Sequence, residues 1–336
     1  MNTKRLVALI IAAVLLFFSI GINMIITIFK TDFFSSFENV INSESYVLEN
    51  VLESGDFGHR IAQLTVNGTI QDVGEPSIWE TVDYNHQVFL KQLNAVLNDD
   101  SVKAVLLNVN SPGGGVIESA EIHEKLMEIK EQKKIPIYVS MGTLAASGGY
   151  YISAPADKIF AQRETLTGSI GVIMQSINYS KLAEKIGVEF ETIKSGEHKD
   201  MLGGARASTA EEIAMLQEMI DESYEQFVDI IEEGRGMSEA EVKKVADGRI
   251  LGGSQALKAG LVDEIGNKSD ALAALRTDFN LQDAEVFEYT LNSKDWTSLL
   301  GVKLSSWFSP SAESQYLSKI ISSTNSPRMM YLYGEH

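Results

Sequence analysis

VKAVLLNVNSPGGGVIESAEIHEKLMEIKEQKKIPIYVS, residues 102–140, is the stretch from which the architecture can be read. An apolar, β-branched run over 102–109 breaks at Pro112 and three glycines, a helical pattern follows near 116–132, and a second apolar run closes it at 135–140. A strand, a helix and another strand over so few residues make a right-handed βαβ crossover, which sets the two strands parallel in one sheet. The same alternation extends to both sides. IAQLTVNGTI (61–70) and a helix near 86–98 come before, and a short helix after Ala146 and KIFA (158–161) come after. The expected class is therefore α/β with a mainly parallel sheet, its working loops placed where strands end and helices begin.

Further along, residues 208–234 carry Met215, Met219, Tyr224, Phe227 and Ile231 near helical spacing, a stripe better suited to core or subunit interface than to a substrate site. Residues 237–266 predict two more short helices with Gly248, Gly252 and Gly253 as turns, and no internal repeat is evident. The catalytic unit is expected over 58–295, preceded by a stalk at 31–57 and followed by a loosely structured tail at 296–336. Residues 6–29, LVALIIAAVLLFFSIGINMIITIF, carry no charge and would extend about 36 Å as a helix, long enough to span a bilayer and too long for a cleaved signal. Lys4 and Arg5 before the span, against Asp32, Glu38, Glu44 and Glu49 after it, keep the N-terminus cytoplasmic and turn the remainder to the outer face of the membrane.

The 46 acidic residues against 28 basic ones give a net charge of −18, which argues against nucleic acid as a partner. The absence of cysteine removes disulfides, thiolate nucleophiles and Cys-ligated metal sites.

Three glycine-rich loops can do chemistry. Asn110-Ser111-Pro112-Gly113-Gly114-Gly115 could converge backbone amides on an oxyanion, or be no more than a flexible turn. In Ala145-Ala146-Ser147-Gly148-Gly149-Tyr150 the serine stands where a strand yields to a helix, with a following amide free to donate to an oxyanion. A helix-capping serine fits that position equally well. Thr167-Gly168-Ser169-Ile170-Gly171-Val172 could orient an amine through its hydroxyls or simply turn the chain. The five histidines, His59, His86, His123, His198 and His336, lie outside any such motif, so a Ser-His-Asp triad would need one of them brought in by the fold, and a lysine can take histidine's place as base. A lysine serves only if its amine is held neutral, which takes a lowering of about three units from about 10.4, supplied by burial. Lys199 sits in the turn-rich 193–200 stretch, just after a strand expected to end at Ile193. A solvated surface lysine is the plainer reading of that stretch, and Glu197 and Asp200 must point away if Lys199 is the base.

NSPGGG (110–115), LAASGGYY (144–151), LTGSIGV (166–172), KSGEHKD (194–200) and DGRILGGSQALKAGLVDEIG (247–266), in this order behind one apolar N-terminal segment, resemble the bacterial signal peptide peptidase A family. The resemblance covers roughly residues 60–290. It implies the Clp protease/crotonase fold with no metal or organic cofactor, Ser147 as nucleophile, Lys199 as general base, Gly114 and Gly148 as oxyanion-hole donors, and Ser169 as a hydroxyl holding the lysine amine. Double-length members build the Ser-Lys pair from two tandem halves, so a chain of 336 residues implies a homo-oligomeric ring on the membrane, Ser147 of one subunit meeting Lys199 of the next. The implied substrates are signal-peptide remnants and other unfolded peptides bound as an added strand. The apolar C-terminal run Arg328–Tyr333 is similar to such a substrate, and the tail is expected to visit the groove of its own assembly. Two other readings stay open: a crotonase-type acyl-CoA enzyme, which shares the sheet and the glycine amides, and an inactive membrane scaffold. A peptidase assay separates them.

Overall fold

The computed structural model describes residues 47–73, 84–291 and 328–334. By contacts the chain divides into one unit of residues 1–48 with 291–293 and a larger one of residues 49–290 with 294–336, and the larger holds nearly all of the described residues. The apolar segment 6–29 and most of the expected stalk lie outside the described residues, among which no helix is long and apolar enough to cross a membrane.

Eleven strands and eight helices are described: β1 (Val47–Glu53), β2 (Asp56–Asn67), α1 (His86–Asn98), β3 (Val102–Ser111), β4 (Gly113–Gly115), α2 (Val116–Lys133), β5 (Ile137–Ala146), α3 (Gly148–Tyr151), β6 (Lys158–Ala161), β7 (Leu166–Gly168), α4 (Ser180–Lys185), α5 (Ala210–Arg235), α6 (Glu239–Lys243), β8 (Ile250–Gly252), α7 (Gly253–Lys258), β9 (Glu264–Ile265), α8 (Lys268–Asp278), β10 (Ala284–Leu291) and β11 (Met330–Leu332). The main sheet runs β1-β10-β2-β3-β5-β6-β9, with β7 joined to β5 and β8 to β7. The described pairings along β10-β2-β3-β5-β6-β9 are all parallel, as is β5 with β7, and β7 with β8 is antiparallel. The βαβ expectation for 102–140 holds, with both strands slightly longer than the apolar runs suggest.

Covered faces explain those runs. Ile61, Ala104, Leu106 and Val286 turn toward Ala271 and Leu275 of α8. The pleat sends Ala62, Val105, Leu107 and Phe287 the other way, and they too are fully buried.

Three expectations are corrected. The stalk assigned to 31–57 gives way to strands at 47–53 and from 56, where Arg60 is buried in reach of Glu49, Asp99 and Glu285 and over the Phe287 ring, fastening the start of β2. The strand expected to end at Ile193 is absent: residues 188–194 have no regular structure and pair with no strand among the described residues. The tail assigned to 296–336 as loosely structured contains β11, which pairs antiparallel with β4.

Candidate active site

The glycine strand β4 stands at one end of the sheet. Ile70 N donates to Gly113 O at 2.8 Å and Gly115 N to Ile70 O at 2.9 Å, so on the alternation of a strand the amide and carbonyl of Gly114 face the opposite side, toward Tyr331. A Cβ on Gly114 would overlap the Ile70 carbonyl, which explains the glycine.

Ser147 follows directly on β5. Its φ of 54° and ψ of −118° are strained for a residue with a Cβ, and its amide is held by Gly168 O at 2.8 Å. Its side chain makes no capping bond to α3, which removes the ordinary structural reason for a serine here. Such a strained strand-to-helix corner is how hydrolases present a nucleophile. The next residue, Gly148, has its Cβ direction 3.1 Å from both Gly113 Cα and Gly114 N, so the two expected oxyanion donors are neighbours. Ser169 follows Gly168, is nearly buried, and adopts φ 50° with its amide on Arg249 O at 2.7 Å.

Ser147, Gly148, Gly114 and Ser169 are thus brought together; Lys199 is not. It lies exposed on a turn, its amide on Gly196 O at 3.3 Å, and no hydrogen bond among the described residues joins it to Ser147 or Ser169. The neighbouring carboxylate is nevertheless turned to other partners. Asp200 accepts from Arg206 Nε at 3.0 Å and Nη2 at 2.6 Å, and from Lys194 Nζ at 2.7 Å. Those hydrogen bonds, Arg206 first, hold its carboxyl well below the usual range. Arg206 also grips the buried Glu212 at 2.8 and 2.5 Å, tying the turn to the first turn of α5, where Thr209 and Glu212 form a capping box.

The C-terminal strand fills the groove between β4 and residue 173. Met330 N donates to Ile173 O at 2.9 Å, Ile173 N to Met330 O at 3.1 Å, and Tyr333 N to Pro112 O at 2.8 Å. Tyr331 is fully buried, stacked on Tyr151 at 4.9 Å, against Phe227 at 4.7 Å, its hydroxyl donating to Ser223 O at 3.0 Å. Its carbonyl oxygen and the Gly148 amide crowd the one space that a Cβ on Gly113 would need. Beyond Leu332, a cleft of about 390 Å³ opens, lined by Ser169, Ile173, Ile220 and Tyr224.

The aromatic pocket escaped sequence reading. Tyr151 gave a signal by its place beside the serine motif, and Phe227 was assigned to a core or interface stripe although it also walls this pocket. Among the described residues, no His, Asp and Glu group could hold a metal ion.

The sequence model of Peptidase family S49 matches residues 129–282. The chain is 43% identical to a candidate signal peptide peptidase SppA of Enterococcus faecium, covering 99% of both chains. It is 34% identical to Protease 4 of Haemophilus influenzae over 88% of this chain and 50% of that protein, and 32% identical to the chloroplastic serine protease SPPA of Arabidopsis thaliana over 66% of this chain and 33% of that one.

Proposed function

This chain belongs to peptidase family S49 and is a serine peptidase, and we propose that it cleaves unfolded peptides, signal-peptide remnants among them, with Ser147 as nucleophile and Lys199 of a neighbouring subunit as base. The observation that carries the reading is β11: an extended peptide whose Tyr331 backbone pairs with Gly114 beside the Gly148 amide and the strained Ser147. Main-chain pairing of this kind accepts an unfolded chain and excludes a folded one.

In this mechanism Ser147 Oγ attacks the peptide carbonyl while Lys199 takes its proton and passes it to the leaving amine. The Gly114 and Gly148 amides hold the oxyanion. Water then attacks the acyl-enzyme, the Lys199 amine taking its proton and returning it to Ser147 Oγ as the ester bond breaks, which frees both groups for the next cycle. Ser169 orients the amine in this reading. In this reading the Tyr331–Leu332 bond takes the place of a substrate bond and the tail acts as a competing peptide, which the pairing of Tyr331 with Gly114 supports.

The exposure of Lys199 in the single chain favours a base shielded by its neighbours, and Ile177, Leu182, Ile186 and Ile193 leave apolar surface around the 177–193 segment for a second copy to cover. The mostly parallel sheet and glycine loops favour the Clp protease/crotonase fold. The uncharged segment 6–29 supports a membrane anchor with the catalytic unit outside.

The test is labelling of the full chain with a serine-directed acylating probe. Label mapping to Ser147, lost in Ser147→Ala and in Lys199→Ala while both stay folded and assembled, is expected; peptide hydrolysis retained in both variants would refute the dyad.

A further inference from the structure

Three residues before Tyr331, the side chain of Arg328 enters a corner of the groove and its Nη1 meets Glu118 Oε1 at 3.0 Å. Glu118 stands in the first turn of α2 with its side chain only 10% exposed. It is fixed from two sides. The Asp72 amide donates to the same oxygen at 3.2 Å, and its carboxylate fills the space that a side chain on Gly115 would take, against the bare backbone of the oxyanion strand.

The surroundings are acidic. Asp72 and Glu121 gather with Glu118 around Tyr84, whose hydroxyl is pushed up first by burial and then by these three carboxylates. Asp72 accepts from Gln87 Nε2 at 2.7 Å and Glu121 meets His86 Nε2 at 2.6 Å. Glu118 is the carboxylate that meets Arg328 at 3.0 Å. Its bond to the Asp72 amide explains why it is held there; it does not explain an arginine brought from 210 residues away.

The geometry points to Glu118 as a specificity-determining residue: this peptidase selects peptides carrying Arg or Lys three positions before the residue held between Tyr151 and Phe227. A carboxylate mostly shielded from water strengthens a charge-assisted hydrogen bond and rejects an anion at the same spot. The inference rests on the reading that β11 lies as a substrate does.

The experiment uses the full chain and internally quenched heptapeptides copying residues 328–334, with Arg, Ala or Glu in the first position. Wild type should favour Arg over Ala by about tenfold in kcat/KM and disfavour Glu further, as befits one hydrogen bond between charged groups. Glu118→Gln keeps the shape and should flatten the ranking; Glu118→Arg should invert it. Equal cleavage of the three peptides by wild type, or an Arg preference that survives Glu118→Gln intact, would overturn the assignment while leaving the groove reading standing. If wild type cleaves none of them, both readings fall.

Discussion

Ser147 holds a backbone conformation that costs a residue with a Cβ about 1–3 kcal/mol, and its side chain makes no capping bond that would repay it. Strain kept at a side chain with no capping role marks a place where shape serves chemistry. Replacing Ser147 by Gly should therefore abolish hydrolysis and raise Tm by about 2–4 °C, as read by calorimetry on the inactive variant. A fall in Tm would mean that the serine is structural. At Gly113, where φ is +95°, an added methyl meets the Gly148 amide at 2.5 Å and the Tyr331 carbonyl. Gly113→Ala should cut kcat/KM by at least about a hundredfold, since it strains the turn and obstructs the oxyanion site together. The motifs NSPGGG and AASGG announced backbone amides and a hydroxyl from sequence, because only glycine tolerates such approach. That Ser147 was a nucleophile candidate rather than a cap needed its φ and its missing bond to α3.

Among the elements, the turn carrying Lys199 is secured by Arg206 between Asp200 and Glu212. The hydrogen bonds of Arg206, then of the Thr209 amide, bring the Glu212 carboxyl down to about 2. A lowered carboxyl stabilises the fold above its unfolded value of about 4.3 and loses that contribution as pH falls toward the folded one. Hydrogen exchange of amides 198–203 should therefore accelerate as pH drops from about 4 to about 2, beyond the intrinsic rate change, and Glu212→Gln should weaken that dependence, leaving the part that belongs to Asp200. The tail strand offers a second element-scale test. Met330→Pro deletes the amide donated to Ile173 O, so the tail should leave the groove and hydrolysis of added peptides should rise severalfold. Unchanged activity with the full tail present would show that β11 does not compete with substrate. Sequence marked 328–333 as substrate-like from its apolar run, but its register against Gly113–Gly115 could not be read, since pairing across more than 200 residues leaves no local signal.

At the scale of the whole molecule, the dyad predicts complementation. Ser147→Ala and Lys199→Ala chains, each inactive, should recover about a quarter of wild-type activity when co-assembled in equal amounts, because one junction in four draws both native residues from adjacent subunits. No recovery in a co-assembled oligomer would place both groups within one chain. Ile193, 96% exposed beside the Lys199 turn, should matter to the same contact: Ile193→Asp is expected to lower both the mass seen by light scattering and the activity. The strand expected up to Ile193 did not form, and Val188, Phe190 and Ile193 of that stretch are exposed in the single chain, so no sheet face there is covered. What the order of residues established alone was the parallel α/β sheet, the glycine loops and the serine and lysine to examine, because period, glycine and hydroxyl are local properties of a chain. The meeting of Gly114 with Gly148, the pocket of Tyr151 and Phe227 and the salt bridge from Arg328 to Glu118 came only with folding. Each joins residues far apart in sequence, and such contacts arise from how the sheet and its helices pack, which no short stretch encodes.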